Sequence, residues 1–196
     1  MRKLTVSMVT TVDGFIAKPD GTLWEAFFWP EEMQAFINEV YRRVDTAVYG
    51  RLTYEAIVPW WDAVAKGNYP ADVPITKRDV EFANILQGIT KVVLSRTMNG
   101  ERTDAVVING DAVRSVAELK AQPGGDIVLY GGAGLVVELA QADLIDEYML
   151  FVSPAAIGAG KPLFSGLQRE LSLRLLETRV FNSAFTLLRY EPAQRA

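Results

Sequence analysis

The sequence predicts an α/β fold, and three features carry that expectation. Apolar, β-branched runs alternate with segments of helical apolar spacing. Glycine clusters sit at the joints, foremost in residues 127–137 (IVLYGGAGLVV). There an apolar run meets Gly131, Gly132 and Gly134 before helical spacing resumes through Leu135, Val136, Leu139 and Ala140. Near the C-terminus, residues 171–181 and 184–190 read as two strands closed by a turn at Asn182 and Ser183.

Composition narrows the chemistry. The chain has 196 residues, enough for one domain with a sizeable core, and one domain over 1–196 is expected. Hydrophobic residues make up 49% and charged ones 22%, the balance of a soluble globular protein. A net charge of −4 lacks the basic footprint of a nucleic-acid binder. There are no cysteines and no histidines, which excludes disulfides, thiolate or imidazole metal sites and a Ser–His pair. Acid–base work then falls to carboxylates, Tyr, Lys or water, and no metal is expected. The N-terminus reads straight into a strand, without a signal peptide. No apolar run is long enough to cross a bilayer, so a cytoplasmic protein without membrane contact is expected.

The elements follow in order. Residues 3–11 form an apolar strand, buried on both faces. Residues 12–17 turn away from it, and Asp13 serves there either as a ligand contact or as the anchor of an Asx turn. Pro30 opens a helix, with Met33, Phe36, Ile37, Val40, Tyr41 and Val44 on its apolar stripe. Glu31 and Glu32 suit the dipole of its first turn, and Glu32 lies at the edge of the stripe, where a carboxylate is half buried. Residues 45–49 are a short strand. Gly50, Arg51 and Thr53 then open a second helix, an arrangement suited to a phosphate or simply to an N-cap Thr beside a solvated Arg.

Residues 59–74, with Trp60 and Trp61, read as a long connection, either a lid or packing for the core. Thr76 and Asp79 cap a helix running to Gln87. Residues 91–97 are a strand ending in Ser95, Arg96 and Thr97, well placed for a phosphate beyond a strand's carboxyl end, or else an exposed loop. Residues 105–109 are a further strand, and Ser115 with Glu118 caps a short helix. The 127–137 stretch leaves backbone amides free at a helix start, beside glycines that admit an anion. It is not a full dinucleotide fingerprint, because Val137 stands where a third glycine would be. Residues 147–153 are a long strand, 157–164 a glycine- and proline-rich loop, and Leu175-Leu176 breaks the final alternation with a bulge.

Five pieces, in order, resemble the dihydrofolate reductase-like fold, and more closely the RibD C-terminal family of riboflavin-biosynthesis reductases. They are Thr11-Val12-Asp13-Gly14; Gly50-Arg51-Leu52-Thr53-Tyr54-Glu55; Val93 through Thr97; Tyr130 through Leu135; and Gly158-Ala159-Gly160-Lys161-Pro162-Leu163-Phe164. The resemblance implies a three-layer α/β/α architecture, with a central mixed, mostly parallel sheet and a C-terminal antiparallel hairpin. It implies NADPH as cofactor and a homodimer. Gly50, Arg51, Thr53, Gly131, Gly132, Ala133, Gly134 and Leu135 would hold the pyrophosphate. Ser95, Arg96 and Thr97 would meet the 2′-phosphate, and Val9, Thr10 and Ile16 would flank the nicotinamide. Glu32 and Asp13 are the catalytic candidates.

Trp24, Phe27, Phe28, Trp29, Trp60 and Trp61 could wall a cleft for a flat small-molecule substrate, a pterin or aminopyrimidine. The sparse catalytic inventory leaves a second reading open: a module that binds a nucleotide and turns nothing over.

Overall fold

The structure, a computed structural model, describes residues 1–24, 30–98, 103–182 and 184–193. Ten strands and five helices follow one another in these residues: β1 Leu4–Thr11, β2 Phe15–Ala17, α1 Glu31–Tyr41, β3 Val44–Gly50, α2 Arg51–Ala65, α3 Lys77–Gln87, β4 Thr90–Leu94, β5 Val106–Ile108, α4 Ala112–Ala121, β6 Asp126–Leu129, α5 Ala133–Gln141, β7 Glu147–Ser153, β8 Lys161–Pro162, β9 Leu173–Phe181 and β10 Phe185–Pro192. Eight strands form one sheet in the order β5-β4-β3-β6-β1-β7-β10-β9, and β2 pairs with β8 apart from it. The ladders from β5 to β7 are all parallel, while β10 runs antiparallel to β7 and to β9.

Helices cover both faces, because successive strand residues point to opposite sides. On one face α1, α2 and α3 bury Met33, Ile37, Tyr41, Val58, Phe82 and Leu86 against Tyr49, Val93, Val128 and Phe151. On the other, α4 and α5 bury Val116, Val136, Leu139 and Ala140 against Val6, Val48, Val92 and Leu129. The result is the expected α/β/α layering.

Four local expectations are corrected. Residues 59–65 are the second half of α2 and not a connection, so Trp60 and Trp61 stand on a helix. Pro59 is tolerated because it lies on the exposed side, where the carbonyl it leaves unpaired meets solvent. Trp61 packs its ring edge-on against Phe82 at 4.8 Å. Val44 does not extend α1. The helix stops at Tyr41, and Val44 opens β3 opposite Asp126, after which Thr46, Ala47 and Val48 gain a ladder on both sides. α4 is capped by Asp111, which accepts from the Arg114 amide at 2.9 Å, while Ser115 sits inside the helix and donates to the Asp111 carbonyl. Residues 15–17, expected as part of a turn, form β2.

The Thr76–Asp79 capping box is present, as is the bulge at Leu175-Leu176, where Arg189 faces Glu177 and Tyr190 faces Leu175. The proposed turn at Asn182 has φ +48 there, and Ser183 lies outside the described residues.

Candidate functional site

The connectivity makes the β1 side of β6 the place where the sheet's carboxyl edge can open. The chain leaves β1 and β3 for helices on one face, α1 and α2, and leaves β6 for α5 on the other. Adjacent strands whose following helices diverge leave an opening beyond their carboxyl ends. The β1–β6 ladder stops at Val6↔Leu129, whereas β1 continues along β7 to Thr11↔Ser153. Past Leu129 the chain follows β3 instead, with the Tyr130 amide donating to the Val48 carbonyl and the Gly50 amide to the Gly131 carbonyl, both at 3.0 Å. The end of β1, with Val9 and Thr10, therefore parts from residues 130–132.

The two glycine joints thus lie side by side. Helices α2 and α5 begin there with Gly50 and Gly132 as N-caps, and neither has a side-chain cap. Of the other helices, α3 and α4 are capped by Thr76 and Asp111, while α1, opening at Pro30, likewise has no side-chain cap. The first amides of α2 and α5, which include those of Thr53, Ala133, Gly134 and Leu135, are thus left to an outside acceptor. A Cβ built on Gly132 or Gly134 meets nothing within 4 Å, so both open onto space. Gly131 differs: its φ is +76, and a Cβ there would lie 3.1 Å from the Met8 sulfur and 3.2 Å from Val136. Its glycine is required by the turn itself.

One strand further out, Gly50 pairs with Leu94, so the turn after β4 lies beside the start of α2. The Ser95 hydroxyl caps that turn, accepting from the amides of Thr97 at 3.2 Å and Met98 at 3.1 Å, and Arg96 is exposed. A pocket of about 490 Å³ opens there, lined among others by Arg51, Tyr54, Glu55, Thr97 and Met98. The sequence-predicted cofactor residues that follow or end these strands thus fall along one edge in the order β4, β3, β6, β1. Ile16, on β2, packs, like Met8 and Leu135, at the rim of the core that α4 and α5 cover.

Glu32 and Asp13 stand elsewhere on this edge. Glu32 leans towards the β9–β10 turn, where it accepts from Arg179 at 3.4 Å and from the Asn182 amide at 3.3 Å. The Arg179 guanidinium also lies over the rings of Phe36 and Phe181. Asp13 clasps the 157–158 turn, accepting from the Thr11 hydroxyl at 2.5 Å, the Gly158 amide at 2.8 Å and the Ile157 amide at 3.0 Å. The Thr11 hydroxyl, with those amides, holds its carboxyl below the usual range. Trp24 is buried and donates to the Ser153 hydroxyl at 3.2 Å, while Phe27, Phe28 and Trp29 lie outside the described residues.

Sequence reasoning missed the tyrosines beneath the glycine joints. Tyr49, next to last in β3, and Tyr130, just after β6, stack at 5.1 Å with 3° between planes, their hydroxyls buried without a well-formed hydrogen bond. Burial pushes the Tyr41 phenol up to about 12 and those of Tyr49 and Tyr130 well above their ordinary value. Burial thus keeps these phenols protonated near neutral pH.

This mostly parallel sheet, with helices on both faces and an antiparallel strand between β7 and β9, defines the dihydrofolate reductase-like fold. The chain belongs to the RibD C-terminal domain family, whose model matches residues 2–187. It is 30% identical over 190 residues to the uncharacterized protein YyaP of Bacillus subtilis (strain 168), covering 96% of this chain and 94% of that one. A pyrimidine reductase-like protein from Corynebacterium diphtheriae superposes with a TM-score of 0.68 at 13% identity, covering 99% of this chain and 93% of that one. Dihydrofolate reductase from Enterococcus faecalis, complexed with NADP(H), does so with 0.63 at 16%, covering 98% and 97%. No helix among the described residues is long and apolar enough to cross a membrane.

Proposed function

We propose that the chain is an NADPH-dependent reductase of a small planar heterocycle, of pterin or aminopyrimidine type. One observation carries this reading: two uncapped helix starts over adjacent glycine joints, in line with the β4 turn on one side and the parting of β1 from β6 on the other. The donor set suits a pyrophosphate, and the open space over Gly132 and Gly134 leaves room for it. In this reading Gly50, Arg51, Thr53 and residues 131–135 hold the pyrophosphate. Ser95, Arg96 and Thr97 border the 2′-phosphate, and Val9, Thr10 and Ile16 flank the nicotinamide. The bound dinucleotide supplies the hydride.

The chain's own residues bind and orient the reactants. We assign the proton to water and leave to Glu32, whose side chain is 42% exposed and held by Arg179, the positioning of that water. Asp13 holds the 157–158 turn at the mouth of the site.

Calorimetric titration with NADPH tests the reading. Saturable binding is expected, and none at millimolar cofactor would sink it. NADPH oxidation should then appear on a panel of folates, pterins and pyrimidines. Glu32→Gln should reduce turnover and leave the cofactor Kd unchanged. Binding without oxidation of any panel member would favour a nucleotide-binding module instead.

The same reading includes a homodimer. β9 is an edge strand of the main sheet, and Leu175, Leu176 and Val180 on it are exposed. An apolar edge of this kind suits pairing with a second copy about a two-fold axis. Light scattering should give twice the chain mass at micromolar concentration, and a stable monomer would count against it.

A further inference from the structure

Among the described residues, one face of the antiparallel end of the sheet lies open. Side chains of β10 and β9 alternate between two faces. Phe185, Leu187 and Phe181 point to the core under α1, while Leu188 and Tyr190 point to the face that α4 and α5 cover further along the sheet. The register sets three cross-strand pairs on that second face: Thr186 beside Val180, Leu188 beside Thr178, and Tyr190 beside Leu175. β7 continues the first two rows with Val152 and Leu150. On β10 the three side chains are half-buried. On β9 Thr178 is exposed, Val180 is 57% exposed and Leu175 51%.

The solvated face of an antiparallel sheet is expected to carry polar side chains. These rows hold no charge at all, although the opposite face of β10 and β9 holds Arg189, Glu177 and Arg179. In plan the face measures about 14 Å by 27 Å, from three strands about 4.8 Å apart and about eight residues of rise. A pocket of about 530 Å³, walled by Phe164, Leu167, Leu171 and Leu173, continues it past Leu175. Apolar surface of this extent marks a contact surface. Side-chain relief and the pocket wall bring it towards the roughly 800 Å² that each partner of a stable complex buries. A second copy of the chain fits it. With a net charge of −4, two copies repel over most of their surface, and a contact through this face opposes no like charges. The bulge at Leu175-Leu176 blunts the free edge of β9, which leaves the face as the larger contact.

We propose that two copies of the chain pack face to face through this side of β10 and β9, about a two-fold axis, as the two layers of a sandwich. The proposal rests on the homodimer of the reading above and names its surface. It asks nothing of the cofactor site.

Val180→Asp and Thr178→Asp, each at an exposed position, test this by setting like charges against each other in the contact. Sedimentation of the full chain and of both variants gives the dimer dissociation constant, and circular dichroism checks that each variant is folded. Each substitution should raise that constant at least about a hundredfold. Hydrogen exchange in the wild type is the second measurement and needs no variant. The β9 amides that do not bond to β10 should exchange freely in the dimer, because a contact through the face gives them no acceptor. Protection of those amides would mean edge-to-edge pairing, and would overturn the proposal while the homodimer stands. A smaller rise in the dissociation constant of a folded variant overturns it in the same way. If the wild type is a monomer at micromolar concentration, the homodimer and the proposal both fall.

Discussion

Arg189→Met is expected to destabilise the protein by about 3 kcal/mol, a fall of about 6–12 °C in the unfolding midpoint for a chain of this size. Glu147 opens β7 with its side chain only 4% exposed. Arg189 on β10 reaches it diagonally across the antiparallel pair, with Nε at 3.0 Å from Oε1 and Nη2 at 3.1 Å from Oε2. Lys3 also pairs with Glu147, and Arg189 holds Glu177 at 2.6 Å.

Burial pushes the Glu147 carboxyl up, but hydrogen bonds from Arg189 and Lys3 outweigh it and hold the group below its usual range. A depressed folded value contributes stability that is present above the unfolded carboxyl's pKa and is lost as pH falls through the folded one. Without Arg189, burial is opposed by Lys3 alone, and a buried charge is left under-compensated. The deficit of the variant should therefore be full at pH 7 and shrink in acid, as Glu147 takes a proton. Urea melts at pH 7 and pH 4 measure both terms. A deficit below about 1 kcal/mol at pH 7 would mean the cluster behaves as a surface pair.

That cluster was not legible in the sequence, and the reason is distance along the chain. Glu147 lies 42 residues from Arg189 and 144 from Lys3, so no local pattern connects them. The same holds for Asp13, whose partners at Ile157 and Gly158 are 144 and 145 residues away. Its neighbourhood suggested an Asx turn or a ligand contact, and only the fold shows which backbone amides its carboxylate reaches. Strands and glycine joints were readable because their signals are local: apolar runs ending in Gly50 or Gly131, with helical spacing after them. The length of α2 was hidden by Pro59 and two tryptophans, which read as a break until the helix is seen to turn Pro59 outward. Glu55 could be named with its motif, but its setting depends on a pocket that also draws on Thr97 and Met98, from a segment beyond α3.

Gly132→Asp is expected to leave folding intact, or to raise stability by a few tenths of a kcal/mol, while weakening NADPH binding about a hundredfold. Gly132 is the N-cap of α5, with φ −74 and ψ 153, an extended conformation open to any residue. A Cβ there meets nothing within 4 Å. An aspartate at an N-cap accepts from the amides two and three positions on, here Gly134 and Leu135, and its charge suits the helix dipole. Those are the amides assigned to the pyrophosphate, so the substitution stabilises the helix by engaging the donors the cofactor needs. It also sets a negative charge where the phosphate would lie. Loss of two hydrogen bonds to a charged group accounts for about a hundredfold by itself. Gly131→Ala makes the contrast: with φ +76 and the Met8 sulfur 3.1 Å from the new Cβ, it should lower the melting temperature before any effect on binding is read. Thermal melts and NADPH titrations of the two variants separate these effects. Unchanged binding in a well-folded Gly132→Asp variant would take the pyrophosphate away from α5 and leave the Gly131 turn a purely structural joint.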